Sequence, residues 1–398
     1  MKSLDVVVLT HPERLGSASM PRFASMLADG LRHRGHQVEL WRPPDRVSGI
    51  PRLGGAARKW AGYVDDYLIF RMEISRRVRR MRRAGRKPVF VISDHALGML
   101  VPALVAEPHV IHCHDFLAQR SAAGEFPENP TGASGRAYQT LIRRGYSRGH
   151  AFLSISQATR NDLHHQLGRV PAISEVVYNG LNFDFGPVEG SEARDELRGI
   201  LEPEDGEGFL LHVGGNQWYK NRSGVIGIYE AYRRKREATG RAALPLWMIG
   251  PPPSPELAAA ADGVSGSGRV RFVCGLNNAQ VRAAYNLARA LVFPSLEEGF
   301  GWPPLEAMAC GTPVMTTRQA PMTEVGGDAV VYLDRMPADV GKRQQWCDLG
   351  ADLLGDLLEE DSEKRAHRRT NGFRQAAGFD AARMLDRCVE IYRHALES

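Results

Sequence analysis

At 398 residues, 43% of them hydrophobic and 24% charged, the chain is long enough to fill two domain cores and has the composition of a soluble globular protein. Its net charge of +5 is mild, and no apolar run approaches the roughly 20 residues of a membrane span. The five scattered cysteines, Cys113, Cys274, Cys310, Cys347 and Cys388, have neither metal-ligand nor redox spacing and suggest no disulfide framework, so they read as buried free thiols in a reducing cytoplasm.

The segment DVVVLT (5–10) reads as a first strand and not as a signal peptide, because its apolar stretch is short and no small-residue cleavage site follows. A helix is predicted next, with Ser19 as its cap, Pro21 in its first turn and Gly35 as its stop. QVELW, PVFVISD, HVIHCHD, AFLSIS and EVVYN follow, each separated by enough residues for a crossover helix. Short hydrophobic strands alternating with helices predict a parallel sheet covered on both faces. Residues 186–208, rich in Gly, Pro, Glu and Asp, read as a linker carrying one short helix. The alternation then restarts with FLLHVGG, LPLWMIG, VRFVCG, ALVFPS, TPVMTT and AVVYL. The expectation is an α/β protein of two doubly wound, Rossmann-like domains, 1–185 and 186–378. A terminal helix at 379–398 follows, with Phe379, Met384, Val389 and Tyr392 as its apolar contacts. Ligands of such sheets bind at the carboxyl ends of the strands, so a cleft between the halves is the expected site.

The stretch SLEEGFGWPPLEAMACGTPV (295–314) holds Glu298 and Glu306 around a rigid turn. Gly299 and Gly301 allow the chain to turn closely, Pro303 and Pro304 suit the first turn of a short helix, and Gly311 and Pro313 stop it. Glu298 is thereby placed at a strand's carboxyl end and Glu306 in the first turn of the next helix. Two carboxylates suit the vicinal hydroxyls of a ribose or hexose, and free helix N–H groups beside them suit a phosphate. The same residues also fit a blander arrangement, in which Glu306 caps its own helix and Glu298 is a solvated loop acid.

Taken whole, this stretch closely resembles the signature of the retaining glycosyltransferases of family GT4, and the likeness continues through Pro321, Glu324 and GDAVVYLD. The resemblance implies a GT-B fold: an acceptor-side first domain, on which the terminal helix packs back, faces a donor-side second domain across a cleft. It places Glu306 on the nucleotide ribose and makes Glu298 a catalytic residue on hydroxyls of the transferred sugar, with the backbone of Gly299, Phe300 and Gly301 nearby. LHVGGNQWYKNR (211–222) resembles the family's donor-diphosphate loop, with Lys220 at the gripping lysine. Where the family often has an arginine this chain has Gly215. Either Arg222 supplies that charge or the amides of Gly214 and Gly215 suffice. The leaving diphosphate would be met by Lys220 and helix N–H groups, so the only small-molecule requirement implied is the nucleotide-diphosphate sugar itself, with no metal.

In the first half, VISDHALGML and HVIHCHDFLA each end a strand in an Asp/His pair. They resemble strand-end elements of the family where a histidine approaches the transferred sugar. His114 and Asp115 are the catalytic candidates there, and Asp94 and His95 are acceptor-side candidates. His112 alternates to the other face and reads as structural, and His95, His114 and Asp115 form no recognised metal-ligand set. The loop THPERLGSASMPR (10–22) lacks a dinucleotide fingerprint, and its Gly16 is a further acceptor-side candidate. Ser156 in SISQATRNDL reads as a helix cap.

The run RRVRRMRRAGRK, from Arg76 to Lys87, carries eight cationic residues in twelve. On a helix, Arg76, Arg79, Arg80 and Arg83 share a face that is either a solvated basic surface or a peripheral contact with an anionic membrane. No aromatic interleaving accompanies it to suggest nucleic acid. The expected function is retaining transfer of a sugar, in the cytoplasm, from a nucleotide-diphosphate sugar to a hydroxyl of a glycan, lipid-linked or small-molecule acceptor, as in polysaccharide biosynthesis. Two rivals share these features. A nucleotide-sugar epimerase or hydrolase on the same fold would turn over donor without an acceptor. A non-catalytic accessory subunit would bind donor without turnover, and the glycine at 215 makes it conceivable.

Overall fold

The computed structural model describes residues 3–14, 19–51, 54–181, 183–264 and 266–397. The chain divides into two compact units, one running to Phe126 and taking Pro130–Gly180 and the chain from Ala381 onward, the other taking Pro127–Asn129 and Leu181–Asp380. The division thus falls after Gly180, a few residues before the expected 185, and the terminal helix Ala381–Glu397 is part of the first unit.

The first unit is built on six strands, β1 (Asp5–Leu9), β2 (Gln37–Trp41), β3 (Val89–Ile92), β4 (His109–Cys113), β5 (Ala151–Ser154) and β6 (Ile173–Val176). They pair in parallel in the order β2-β1-β3-β4-β5-β6. The last begins at Ile173, earlier than the expected EVVYN. Side chains alternate along each strand, so Val6, Val8, Val89 and Val91 pack on one face with Phe23 and Leu27 of helix Ser19–His33 and with Met384, Cys388 and Tyr392 of the terminal helix. Val7, Leu9, Phe90 and Ile92 pack on the other face against Phe70, Ile74, Leu100 and Tyr146. Both faces are covered, as continuous apolar strands require. His112 sits in this core 2.7 Å from the Tyr392 hydroxyl, and burial depresses its pKa to about 3, which keeps it neutral.

The second unit repeats the design with β7 (Phe209–Val213), β8 (Leu246–Ile249), β9 (Val270–Val273), β10 (Ala288–Phe293), β11 (Val314–Thr317) and β12 (Val331–Leu333). All pair in parallel, in the order β12-β11-β10-β7-β8-β9. Leu210, Met248, Val292 and Met315 meet Val225 and Ile228 of helix Arg222–Ala238 and Ala351 and Leu354 of helix Arg343–Leu358. Of the five cysteines, Cys274 alone is exposed, and all five are unpaired. Among the described residues no helix is long and apolar enough to cross a membrane.

Candidate active site

In the second unit β7 and β10 are neighbours, so the loops leaving their carboxyl ends run side by side. Three links tie the loops together. The Tyr219 carbonyl accepts from Leu296 N and from Ser295 Oγ, each at 2.7 Å. Asn221, in the left-handed region at φ 51°, donates from Nδ2 to the Pro294 carbonyl and accepts from Gly224 N to cap helix Arg222–Ala238. Lys220 Nζ reaches Glu298 Oε1 at 2.7 Å, with side-chain exposures of 15% and 8%. Ser295 Oγ lies 2.7 Å from the same Oε1, so its one proton is shared between that oxygen and the Tyr219 carbonyl. Oε2 of Glu298 therefore keeps its lone pairs for a further donor, with no partner among the described residues.

Gly301, at φ 111°, turns the chain into helix Trp302–Cys310, and a Cβ there would lie 2.4 Å from Met322 Cε. Pro303 and Pro304 do occupy its first turn, but Glu306 stands one turn further in than expected. The prolines also remove two N–H donors from the helix N-terminus, so the expected anion site there is poorer than the sequence suggested. Any backbone donation to a phosphate falls to the loop amides instead. Glu306 accepts a 2.8 Å hydrogen bond from the Tyr285 hydroxyl. Burial pushes its carboxyl pKa up to about 7, against the opposing pull of Tyr285 and of the Lys220 cation. Phe300 is buried against Trp302 and Phe379, so its ring packs and only its backbone is left to face a ligand.

Close approach explains Gly214. A Cβ at that position would lie 2.8 Å from Nε2 of His212, which is fully buried on β7 and whose Nδ1 bonds the Val292 carbonyl at 3.0 Å. Burial, with the Arg222 and Lys220 cations adding to it, holds His212 neutral, with a pKa near 3. Arg222 keeps two buried donors, Nε and Nη2, without a hydrogen-bond partner among the described residues. It donates to Asn216 Oδ1 and, at 3.3 Å, to the Pro251 carbonyl, and its guanidinium lies 5.2 Å from the Phe272 ring centre. At Gly215 a Cβ would meet only the flexible amide of Gln217.

In the first unit β1, β3 and β4 are adjacent, and their carboxyl ends bring together His11, Asp94, His95, His114 and Asp115. Asp94 is the hub. Its Oδ2 is 3.0 Å from His11 Nε2, and its Oδ1 is 3.1 Å from His95 Nδ1 and accepts from Ala96 N. Burial works to raise its pKa, yet the His11 and His95 imidazoles hold the carboxyl well below the usual range. His95 is itself buried against Phe116 and lies 3.3 Å from Gln119 Oε1, which makes it a support for Asp94. His114 donates from Nε2 to the Ser93 carbonyl at 2.9 Å, and burial lowers its pKa. A neutral imidazole bonded in this way leaves Nδ1 as an acceptor. Asp115 Oδ1 accepts from Leu117 N at 3.1 Å, just ahead of helix Leu117–Ala123. Gly16 lies outside the described residues.

His11, Tyr285, Ser295 and His212 were not singled out as site residues from sequence. For His11 the signal was present, since it follows β1 as His95 and His114 follow β3 and β4. Tyr285 carries none, because its partner is 21 positions away on another helix.

The sequence model described as Glycosyltransferase Family 4 matches residues 20–185, and that described as Glycosyl transferases group 1 matches residues 208–341. The O-antigen chain mannosyltransferase B of Escherichia coli is 29% identical over 189 residues, 47% of this chain and 46% of that protein. The D-inositol 3-phosphate glycosyltransferase of Mycobacterium avium is 28% identical over 315 residues, 75% of this chain and 67% of that protein. The match to the first of these spans less than half of its length. Among solved structures, sucrose-phosphate synthase of Thermosynechococcus elongatus superposes with a TM-score of 0.69 at 15% identity, covering 98% of both chains. Anabaena HepE, solved with UDP and glucose, gives 0.64 at 16% identity, covering 97% of this chain and 98% of that one. At such identities the likeness establishes the fold, which is GT-B. The two sequence matches, one in each unit, place this chain in the family 4, group 1 glycosyltransferases.

Proposed function

We propose that the chain is a retaining, cytoplasmic glycosyltransferase that binds a nucleotide-diphosphate sugar on its second unit and a glycan, lipid-linked or small-molecule hydroxyl acceptor on its first. The observation that carries this reading is the Lys220–Glu298 pair with Glu306 inside its field. A cation for a diphosphate, a carboxylate with one open oxygen for sugar hydroxyls, and a second carboxylate for a ribose are the groups such a donor needs. Relatives named as mannosyltransferases support a mannosyl or related sugar. In the reaction the acceptor oxygen bonds the anomeric carbon on the side from which the diphosphate leaves, the carbon–oxygen bond to the diphosphate breaks, and the acceptor's proton passes to that departing oxygen. Lys220 and the loop amides offset the charge that develops on the leaving group, without a metal. Peripheral contact with an anionic membrane through the run from Arg76 to Lys87 belongs to the same proposal.

The test is thermal stabilisation by a panel of UDP-, GDP-, ADP- and dTDP-sugars, in which the true donor at 100 times its Kd adds about 2.7 kcal/mol. No stabilisation by any of them would remove the donor reading.

The Glu306 assignment adds a pH signature. Below about pH 7 the free protein carries Glu306 protonated, whereas ribose hydroxyls donate to the carboxylate. Binding therefore selects the ionised form, and donor affinity rises with pH up to about 7 and then levels off, by at most about tenfold per pH unit. Calorimetry with the intact nucleotide sugar, whose diphosphate diester does not titrate in this range, checks it. Glu306→Gln should be pH-independent, and an unchanged slope in that variant would contradict the assignment.

A further inference from the structure

The helices around the basic run present a second feature besides its arginines. They run as Gly55–Val64, one wider turn at Asp65–Ile69, then Phe70–Arg83. The inner face is fixed by Phe70, Ile74, Val78 and Met81 in the first unit's core. The outer face is apolar where it should be polar: Trp60 is 71% exposed, Val64 39%, Leu68 57% and Met72 45%. Side chains four apart line one side of a helix. The wider turn, with more residues per turn than an α-helix, offsets the drift that four-residue spacing would otherwise accumulate.

Cations continue the line where the apolar residues stop. Arg76, Arg79, Arg80 and Arg83 are exposed, as is Arg71 beside Met72, and none of them has an ion-pair partner among the described residues. The other arginines of the run are held on their own unit, Arg77 by Glu73, Arg82 by Glu107, and Arg86 by Asp5 and Glu39. The fold thus sorts the run into structural arginines and a free set that shares a face with exposed Trp, Leu and Met.

We propose that this face docks on an anionic lipid bilayer. Trp60, Val64, Leu68 and Met72 enter the interface, and Arg71, Arg76, Arg79, Arg80 and Arg83 meet the acidic headgroups. A helix lying in the membrane plane buries such an apolar side at the headgroup boundary while its basic residues add electrostatic attraction. Charge selects the occupant. A second copy of this chain would set the same arginines against each other, and a nucleic acid would use the arginines but leave four apolar side chains in water. The inference rests on the peripheral membrane contact proposed above and names the surface that makes it; vesicle binding can fail while sugar transfer stands.

The experiment is sedimentation of the full chain with phosphatidylcholine vesicles, with and without phosphatidylglycerol. Binding to the acidic vesicles should be about tenfold stronger or more, and should weaken as salt rises from about 0.1 M to about 1 M. Replacing Arg76, Arg79, Arg80 and Arg83 with Gln should abolish the preference for acidic lipid. Leu68→Ser with Met72→Ser should weaken binding about tenfold even at low salt, with circular dichroism and thermal midpoint unchanged, because both side chains are already in water. Equal sedimentation with both vesicle types, or parent-like binding by the arginine variant, overturns the proposal. So does self-association that the Leu68/Met72 variant abolishes, which would assign the face to a second copy.

Discussion

Glu298→Ala is expected to lower turnover by about 100-fold or more while leaving nucleotide affinity nearly intact. Oε1 of this carboxylate is occupied by Lys220 and Ser295, and Oε2 is open. A group held so firmly, with one oxygen unsatisfied, is preorganised for hydroxyls whose polarity changes as the sugar gains positive charge in the transition state. An interaction that strengthens there lowers kcat, whereas one made equally with bound donor raises KM. His114→Ala should show the same pattern from the first unit. Its Nε2 is tied to the Ser93 carbonyl, so its neutral imidazole offers Nδ1 in a fixed direction. Single-turnover release of nucleoside diphosphate, read beside calorimetric nucleotide binding, checks both. Parent rates in both variants would place the chemistry elsewhere.

The second large effect is expected at Lys220, and it splits into two. In Lys220→Met the Glu298 carboxylate, with its side chain 8% exposed, loses its countercharge and keeps only the Ser295 hydroxyl. Breaking one side of such a pair costs about 2–4 kcal/mol, which corresponds to a fall in Tm of roughly 5–15 °C for a unit of this size. Removing both charges in Lys220→Met/Glu298→Gln should recover most of that stability, since the penalty comes from the unpaired acid. Diphosphate binding should not recover. Affinity for the nucleoside diphosphate should stay about 100-fold down in both variants while the bare nucleoside binds as before. If the double variant regains diphosphate affinity, Lys220 is a structural lysine. Donor binding and turnover that persist in a chelator would support leaving-group stabilisation by this cation without a metal.

The twelve strands were legible because parallel strands buried on both faces read as short uninterrupted apolar runs, as at Val89–Ile92 and Phe209–Val213. The turn around Glu298 and Glu306 was legible because glycine at 301 and proline at 303 and 304 leave the backbone few options. What did not show was which partners the side chains choose. Nothing local to Glu306 announces Tyr285, and nothing local to Lys220 announces that its first partner is Glu298, because both contacts come from how β7 and β10 are packed side by side. The spacing of Arg222 from Lys220 does not show that Asn216 and the Phe272 ring take up part of its guanidinium, while Nε and Nη2 stay without a partner among the described residues. The arginine run looked uniform. Only the placement of Glu73, Glu107, Asp5 and Glu39 divides it.

Transfer of a sugar, as distinct from its mere release or rearrangement, is checked by a mass balance. The protein is incubated with the nucleotide sugar that stabilises it and with an acceptor-containing cell extract, and nucleoside diphosphate and sugar-bearing products are counted together. Transfer yields one new glycoside per nucleoside diphosphate, with both lost in Glu298→Ala. Nucleoside diphosphate formed with only free sugar, or an epimerised nucleotide sugar with no diphosphate released, would contradict it.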